Sequence, residues 1–372
     1  MPYRACAQQG KSIVANAAWV RIALPMVFVP LSLGLHHFSD VAPQWVFLSG
    51  LIAIGALADW VRRGTEEVAG HLGGVIGSLL NVSFGNAAEL VLALFVLANA
   101  QTRVVQAQIT GSIIGTTLLF FGLCALVGGL RRERQTLGRQ AHLLSTLLLL
   151  VAVVILLPAA FEMTQRQSAS PADLSQLDEQ LSLCVSIVLL LLYAAHLVYV
   201  LVTHRAIFAA REAGDRRPEW SLPQGLAVMA GGVFVIALES ELVSARLGET
   251  ASNLGLTPTF IGVVVLALIG TIADLFAALA FARADKMDIV FGLCVGSAVQ
   301  ITLVVAPVLV LASWAIGNPM NLVFASPLDL FSIASAAFIV RAIASDGETN
   351  WYEGLLLVGA YVMIALAYFF QI

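Results

Sequence analysis

The stretch SLLNVSFGNAAELVLALFVLA, residues 78–98, places Asn86 and Glu89 inside an apolar run long enough to cross a bilayer. The two are three residues apart and share one helix face. An amide oxygen and a carboxylate are hard oxygen ligands, better suited to calcium than to zinc or copper. A charged side chain at that depth costs about 2.5–3.5 kcal/mol on insertion scales, so the acid needs a partner. A second apolar run offers one. Thr271 and Asp274 follow Gly270 just as Asn86 and Glu89 follow Gly85. Together they supply two carboxylates and two neutral oxygens. Backbone carbonyls turned out at Gly85 and Gly270, with water, could complete the roughly six to eight oxygens that calcium takes. Two carboxylates close together in a low-dielectric cavity also raise each other's proton affinity, so a divalent cation and protons compete for one site. The plainer alternative is that Glu89 and Asp274 only hydrogen-bond and fix helix packing.

These residues must be carried by membrane helices. The chain has 372 residues, of which 59% are hydrophobic and only 11% charged, against about 25% charged in soluble domains. An all-α polytopic membrane protein follows, with the lipid bilayer as its surroundings. The formal charge of −4 argues against a nucleic-acid partner. Apolar runs predict eleven spans, near 19–35, 44–61, 72–99, 104–130, 141–161, 181–204, 225–246, 258–282, 287–316, 322–342 and 352–371. Sorting Lys and Arg onto alternate sides gives sixteen against three. By the positive-inside rule the N-terminus is cytoplasmic and the C-terminus external, in a cytoplasmic (inner) membrane. The loop at 162–180 is read as a solvated external linker. Cys124, Cys184 and Cys294 lie in apolar segments and are read as buried free thiols.

A shift of 185 residues aligns Gly85–Leu90 with Gly270–Leu275 and Gly111-Ser112 with Gly296-Ser297. Upstream, a shift of 175 pairs TEEVAGHLG (65–73) with SELVSARLG (240–248). The halves therefore correspond as spans two to six and seven to eleven. Five is odd, so they enter the membrane from opposite sides. Such inverted repeats place a transporter's site at their interface near the midplane. The division expected is an N-terminal helix (1–38), a first five-helix repeat (39–204), a cytoplasmic linker (205–222) and a second, inverted repeat (223–372). Glu66 and Glu241 correspond through the repeat and are read as entrance carboxylates, or as interfacial anchors. Gln106, Ser112, Ser297 and Gln300 could line the cavity or join helix to helix.

GTEEVAGHLGGVIGSLLNVSFGNAAELVLALFVL, VVQAQITGSI, TPTFIGVVVLALIG and MDIVFGLCVGSAVQITLVVAPVLVL together resemble the calcium/proton exchangers of the calcium/cation antiporter superfamily. The resemblance runs from span two to span nine. It implies eleven helices, two inverted repeats and cation exchange for protons, with Glu89 as an essential cation ligand and Asn86 beside it. The second motif departs from the family's usual Gly-Asn-Ala-Ala-Glu-His: this chain has Gly270-Thr271-Ile272-Ala273-Asp274-Leu275. A shorter carboxylate, and a hydroxyl for an amide, change ligand reach where cation choice is decided. The expected function is secondary Ca2+/H+ antiport with Ca2+ extrusion, not enzymatic catalysis and with no cofactor. A relative moving Mn2+, Na+ or K+ on the same architecture is the nearest alternative. A non-transporting or channel-like protein that kept the fold is another. Stoichiometry, affinity and oligomeric state are not legible in the sequence.

Overall fold

A computed structural model describes residues 24–37, 42–72, 74–130, 132–165, 171–199, 218–324 and 326–371. In chain order the helices are α1 (Leu24–His37), α2 (Pro43–Leu72), α3 (Gly74–Phe84), α4 (Ala87–Ala98) and α5 (Thr102–Gly129). They continue as α6 (Gly138–Gln165), α7 (Pro171–Val198), α8 (Leu222–Leu254), α9 (Pro258–Arg283), α10 (Met287–Ile316), α11 (Pro327–Ile343) and α12 (Trp351–Phe369). α3 and α4 are one span broken at Gly85-Asn86, so twelve helices among the described residues make eleven spans. Eight are long and apolar enough to cross a membrane on their own. A two-stranded antiparallel ribbon, β1 (Gln135–Thr136) with β2 (Glu348–Thr349), joins two loops.

Several helices run further than hydropathy alone predicts. α2 continues to Leu72, and the basic and acidic residues 62–71 ride on its last turns. α8 begins with Ser221 and Gln224 in a capping box and ends where Gly255 takes a left-handed conformation, φ 65°. The expected linker at 162–180 is mostly helix. α6 reaches Gln165, and α7 starts at Pro171 with Asp173 in its first turn, both favourable at a helix N-terminus. Cys184 is exposed on α7, whereas Cys124 and Cys294 are buried, so the expectation of three buried thiols fails at one. Hydropathy does not say which face of a lipid-bathed helix points inward. Most of the linker expected at 205–222 lies outside the described residues; its end is held where the backbone N–H groups of Glu219 and Trp220 donate to Glu67.

The connections sort onto two faces. On one, the end of α2 meets the start of α8, Arg132 pairs with Asp285 at 3.3 Å, and β1 pairs with β2. Arg62, Arg63, Arg132, Arg134, Arg283, Lys286 and Arg341 all lie toward this basic face. On the opposite face Asn318 donates to the Leu97 and Ala98 carbonyls, and Leu322 N–H donates to Ser182. α5 and α10 are the central spans: 83% and 72% of their apolar windows are buried, against 28% for α7, α8 and α12. Large apolar side chains such as Phe234, Phe338 and Met363 stay exposed on the outer helices, as a lipid-facing surface requires. Both central spans carry a wide π-helical turn, Gly115–Phe120 and Ile301–Val305, at places the 185-residue shift brings into register. Such turns often accompany functional sites.

Candidate cation site

The break between α3 and α4 creates the first half of the site. Asn86 caps α4 with φ −105° and ψ 21°, and Glu89 falls in that helix's first turn. A carboxylate is favoured there by the positive end of the helix dipole. The sequence LLNVSFGNAAEL breaks where it does because Gly85 and Asn86 are poor helix interiors while AAELVLAL is a strong one. Glu89 is 1% exposed, and both of its carboxylate oxygens lack a protein hydrogen-bond partner. Ser112 on α5 lies beside it, and that hydroxyl is likewise unmatched.

The second half comes from α9, which passes through Gly270 and Thr271 without a break. Here Gly270 is needed for close approach. A Cβ on it would stand 3.1 Å from Glu89 Cβ and 3.3 Å from Glu89 Cα. The two motifs therefore cross at Glu89, and Asp274, one turn along α9, comes within electrostatic reach of it. α10 closes the third side. Ser297 donates to Asn86 Oδ1 at 3.3 Å, Asn86 Nδ2 donates to Gln300 Oε1 at 3.3 Å, and Ser297 also stands beside Asp274. Glu89, Asp274, Asn86, Ser112, Ser297 and Gln300 thus form one polar layer inside the bundle. Among the described residues no three His, Cys, Asp or Glu side chains converge on a metal-binding cluster, so the acids of this layer are Glu89 and Asp274.

Other candidates fall elsewhere. Thr271 is buried beside the crossing, but its hydroxyl donates to the Ala267 carbonyl of its own helix at 2.8 Å. Only its lone pairs are left for a ligand. Gly85 is in the turn between α3 and α4. Gln106 turns to the opposite face, where it donates to the Asn321 backbone at 2.8 Å and lines a pocket with Arg103, Glu162 and Asp178. Glu241 is exposed on α8. Glu66 is 44% exposed and ion-paired to Arg62, yet still within electrostatic reach of Asp274.

Two features of the site region were not singled out from the sequence. Gln108 is 1% exposed and donates to the Glu89 backbone carbonyl at 3.4 Å. Helical spacing carried that signal: Gln108 is four residues from Ser112 and shares its face, whereas Gln106 is six away and does not. Arg62 reaches toward Asp274 from the last turns of α2, which hydropathy had assigned to a loop. Glu239, which has no counterpart in the repeat, is buried against α1 and accepts from Ser32 at 2.6 Å.

The sodium/calcium exchanger protein family matches this chain over residues 43–202 and 224–370. A Ca(2+)/H(+) antiporter of Aphanothece halophytica is 38% identical over 365 residues, covering 93% of this chain and 95% of the relative. The Ca(2+)/H(+) antiporter ChaA of Bacillus subtilis (strain 168) is 37% identical over 92% of this chain and 96% of its own. Vacuolar cation/proton exchanger 1 of Arabidopsis thaliana is 34% identical, covering 94% of this chain and 77% of the relative. Among solved structures, that of native YfkE superposes with a TM-score of 0.80 at 33% identity, covering 95% of this chain and 100% of the other. A solved H+/Ca2+ exchanger CAX shares the fold, with a TM-score of 0.69 at 14% identity over 95% of this chain and 92% of its own.

Proposed function

The chain belongs to the sodium/calcium exchanger protein family, and from that premise we propose that it is a secondary antiporter exchanging Ca2+ for H+. The observation that carries the reading is the crossing of Gly270 over Glu89, which brings the buried Glu89 of one half and the half-buried Asp274 of the other into one polar layer. A divalent cation brings two positive charges to Glu89 and Asp274. Protons supply the same neutralisation once the cation has left. Burying either acid without one or the other would leave an uncompensated charge in the bundle. Asn86, Ser112, Ser297 and Gln300 offer the neutral oxygens that calcium requires beyond carboxylates.

The two halves, 39–204 and 223–372, act as inverted repeats, and the basic face is cytoplasmic. Cation enters there from the cytoplasm and leaves at the opposite face in exchange for protons. The test is proton flux in everted vesicles carrying a pH gradient. Ca2+ at micromolar to millimolar concentration should dissipate the gradient. A response to Na+ or K+ alone would replace calcium as the cargo, and silence toward every cation would end the transport reading.

Cation choice rests on the second motif. Asp274 reaches one methylene less far than a glutamate, and Thr271 donates its proton to Ala267. A cavity with a shorter acid fits a cation held partly through water, because calcium tolerates flexible coordination. The double variant Thr271→Asn, Asp274→Glu should therefore lower the half-maximal Ca2+ concentration roughly three- to tenfold relative to Mn2+. Unchanged relative preference would remove this motif as the selector.

A further inference from the structure

Arg62 is a positive charge on α2 between the basic face and the level of Asp274. It lies on α2, which packs beside α9: a Cβ on Gly55 would stand 3.1 Å from Ile272 Cγ2 and 3.8 Å from Ile269 Cγ2. From that contact level, Asp59 and Arg62 lie about 6 and 10 Å further along α2, and Asp274 about 3 Å further along α9, at 1.5 Å per residue. Helical side chains lean toward the N-terminus of their own helix. The guanidinium of Arg62 is thereby carried back from the basic face toward Asp274. Its side chain is 18% exposed. It donates to Asp59 Oδ1 at 3.1 Å through one Nη and to Glu66 through the other, while Nε is buried without a partner. Arg63 holds the other Asp59 oxygen at 3.0 Å. Positions 59, 62 and 66 form a single stripe on α2, and both Arg62 and Glu66 interact electrostatically with Asp274.

We propose that Arg62 is a resident cation in the basic-face entrance, a positioning and selectivity residue whose charge an incoming metal ion must displace from the Asp59–Glu66–Asp274 group. The inference rests on Asp274 being a site acid. While the entrance is empty, Arg62 and Arg63 together balance Asp59 and Glu66, and the Arg62 guanidinium offsets part of the negative field at Asp274. Glu66 is then not a free attractor for cations, as the sequence had suggested, but one jaw of a clamp on an arginine. A cation approaching from this face meets a positive charge first, which makes the entrance admit ions only at appreciable concentration. The far face carries no such charge beside Asp274 among the described residues, so the barrier is one-sided.

The test uses the full-length protein in everted vesicles, with whichever cation drives wild-type proton flux. Arg62→Gln should lower the KM for that cation at the basic face about fivefold or more, with the maximal rate changed much less. Asp59→Asn, which leaves the arginine in excess, should raise KM by a similar factor. Arg62→Lys should stay close to wild type. In right-side-out vesicles, where the cation is offered to the opposite face, none of the three should move KM. Raised ionic strength should shrink the differences, since the entrance is partly wet. An unchanged KM in Arg62→Gln overturns the inference, as do Arg62→Gln and Asp59→Asn shifting KM in the same direction, or Arg62→Lys behaving like Arg62→Gln. If Arg62→Gln does not accumulate, Asp59→Asn and Arg62→Lys decide: no rise in the first, or a large shift in the second, overturns it. A wild type silent toward every cation is a different result, and it defeats the antiport reading itself.

Discussion

Glu89→Gln should abolish cation-driven proton flux, a fall of roughly 100- to 4,000-fold, in protein that still reaches the membrane in normal amount. The magnitude is the cost of about 3–5 kcal/mol for removing one member of a buried charge pair, here the pair that the carboxylate forms with the transported ion. Glutamine has the same length and nearly the same volume, so it keeps the close contact with Gly270. It also keeps hydrogen-bonding capacity toward Ser112. A residue that only fixed helix packing would therefore be replaced without loss. What glutamine cannot do is carry negative charge to a cation or exchange a proton. Asp274→Asn should fail in the same way. A second measurement separates site from scaffold: Ca2+ should raise the melting temperature of the wild type by binding the folded state, and leave both variants unmoved. Retained flux in either variant would sink the shared-site mechanism.

The two acids were legible in the sequence because a buried carboxylate is costly and a repeat supplies its partner. Glu89 and Asp274 stand at matching places, and matching places in inverted halves meet at the centre. The central position of α5 and α10 was not legible, since both read as one more apolar run; only packing distinguishes a core span from a lipid-facing one. Polar residues on those spans were legible in part. Ser112, Ser297 and Gln300 reach the layer, whereas Gln106 turns to the opposite face and Gln108 faces Glu89, a distinction set by helix phase and not by residue type. Arg62 escaped for another reason. It lies on the last turns of α2 and not in a loop, because a helix leaving the bilayer need not end where its apolar run does. The break at Gly85-Asn86 was permitted by the sequence. That Gly270-Thr271 stays helical was not, since both motifs begin with the same glycine.

That asymmetry leads to the second large effect. On the far side of the site the α9 backbone is pressed onto α5: a Cβ on Gly111 would fall 1.9 Å from the Val263 carbonyl oxygen. A Cβ on Gly262 would also be crowded, 2.8 Å from the Val104 carbonyl oxygen and 2.9 Å from Ala107 Cβ. The 185-residue shift converts these positions into Gly296, Ser78 and Gly77. There the contact is missing. A Cβ on Gly296 meets nothing within 4 Å, and one on Gly77 would instead meet α2, 2.4 Å from the Ala69 carbonyl oxygen. So α9 leans on the central span, whereas α3 leans on α2 and leaves Gly296 of α10 facing open space. If the halves exchange conformations during transport, α3 must close on α10 with the Ser78 backbone against Gly296. Gly296→Val should then fold normally, because its side chain enters open space here. Yet it should cut flux roughly 10- to 100-fold, since the closed state would be overpacked by a few kcal/mol. Gly111→Val meets its clash in the present conformation and should instead lower the melting temperature and the amount of protein. A Gly296→Val protein with wild-type flux would show that α3 never closes on α10, and alternating access by exchange between the halves would have to be given up.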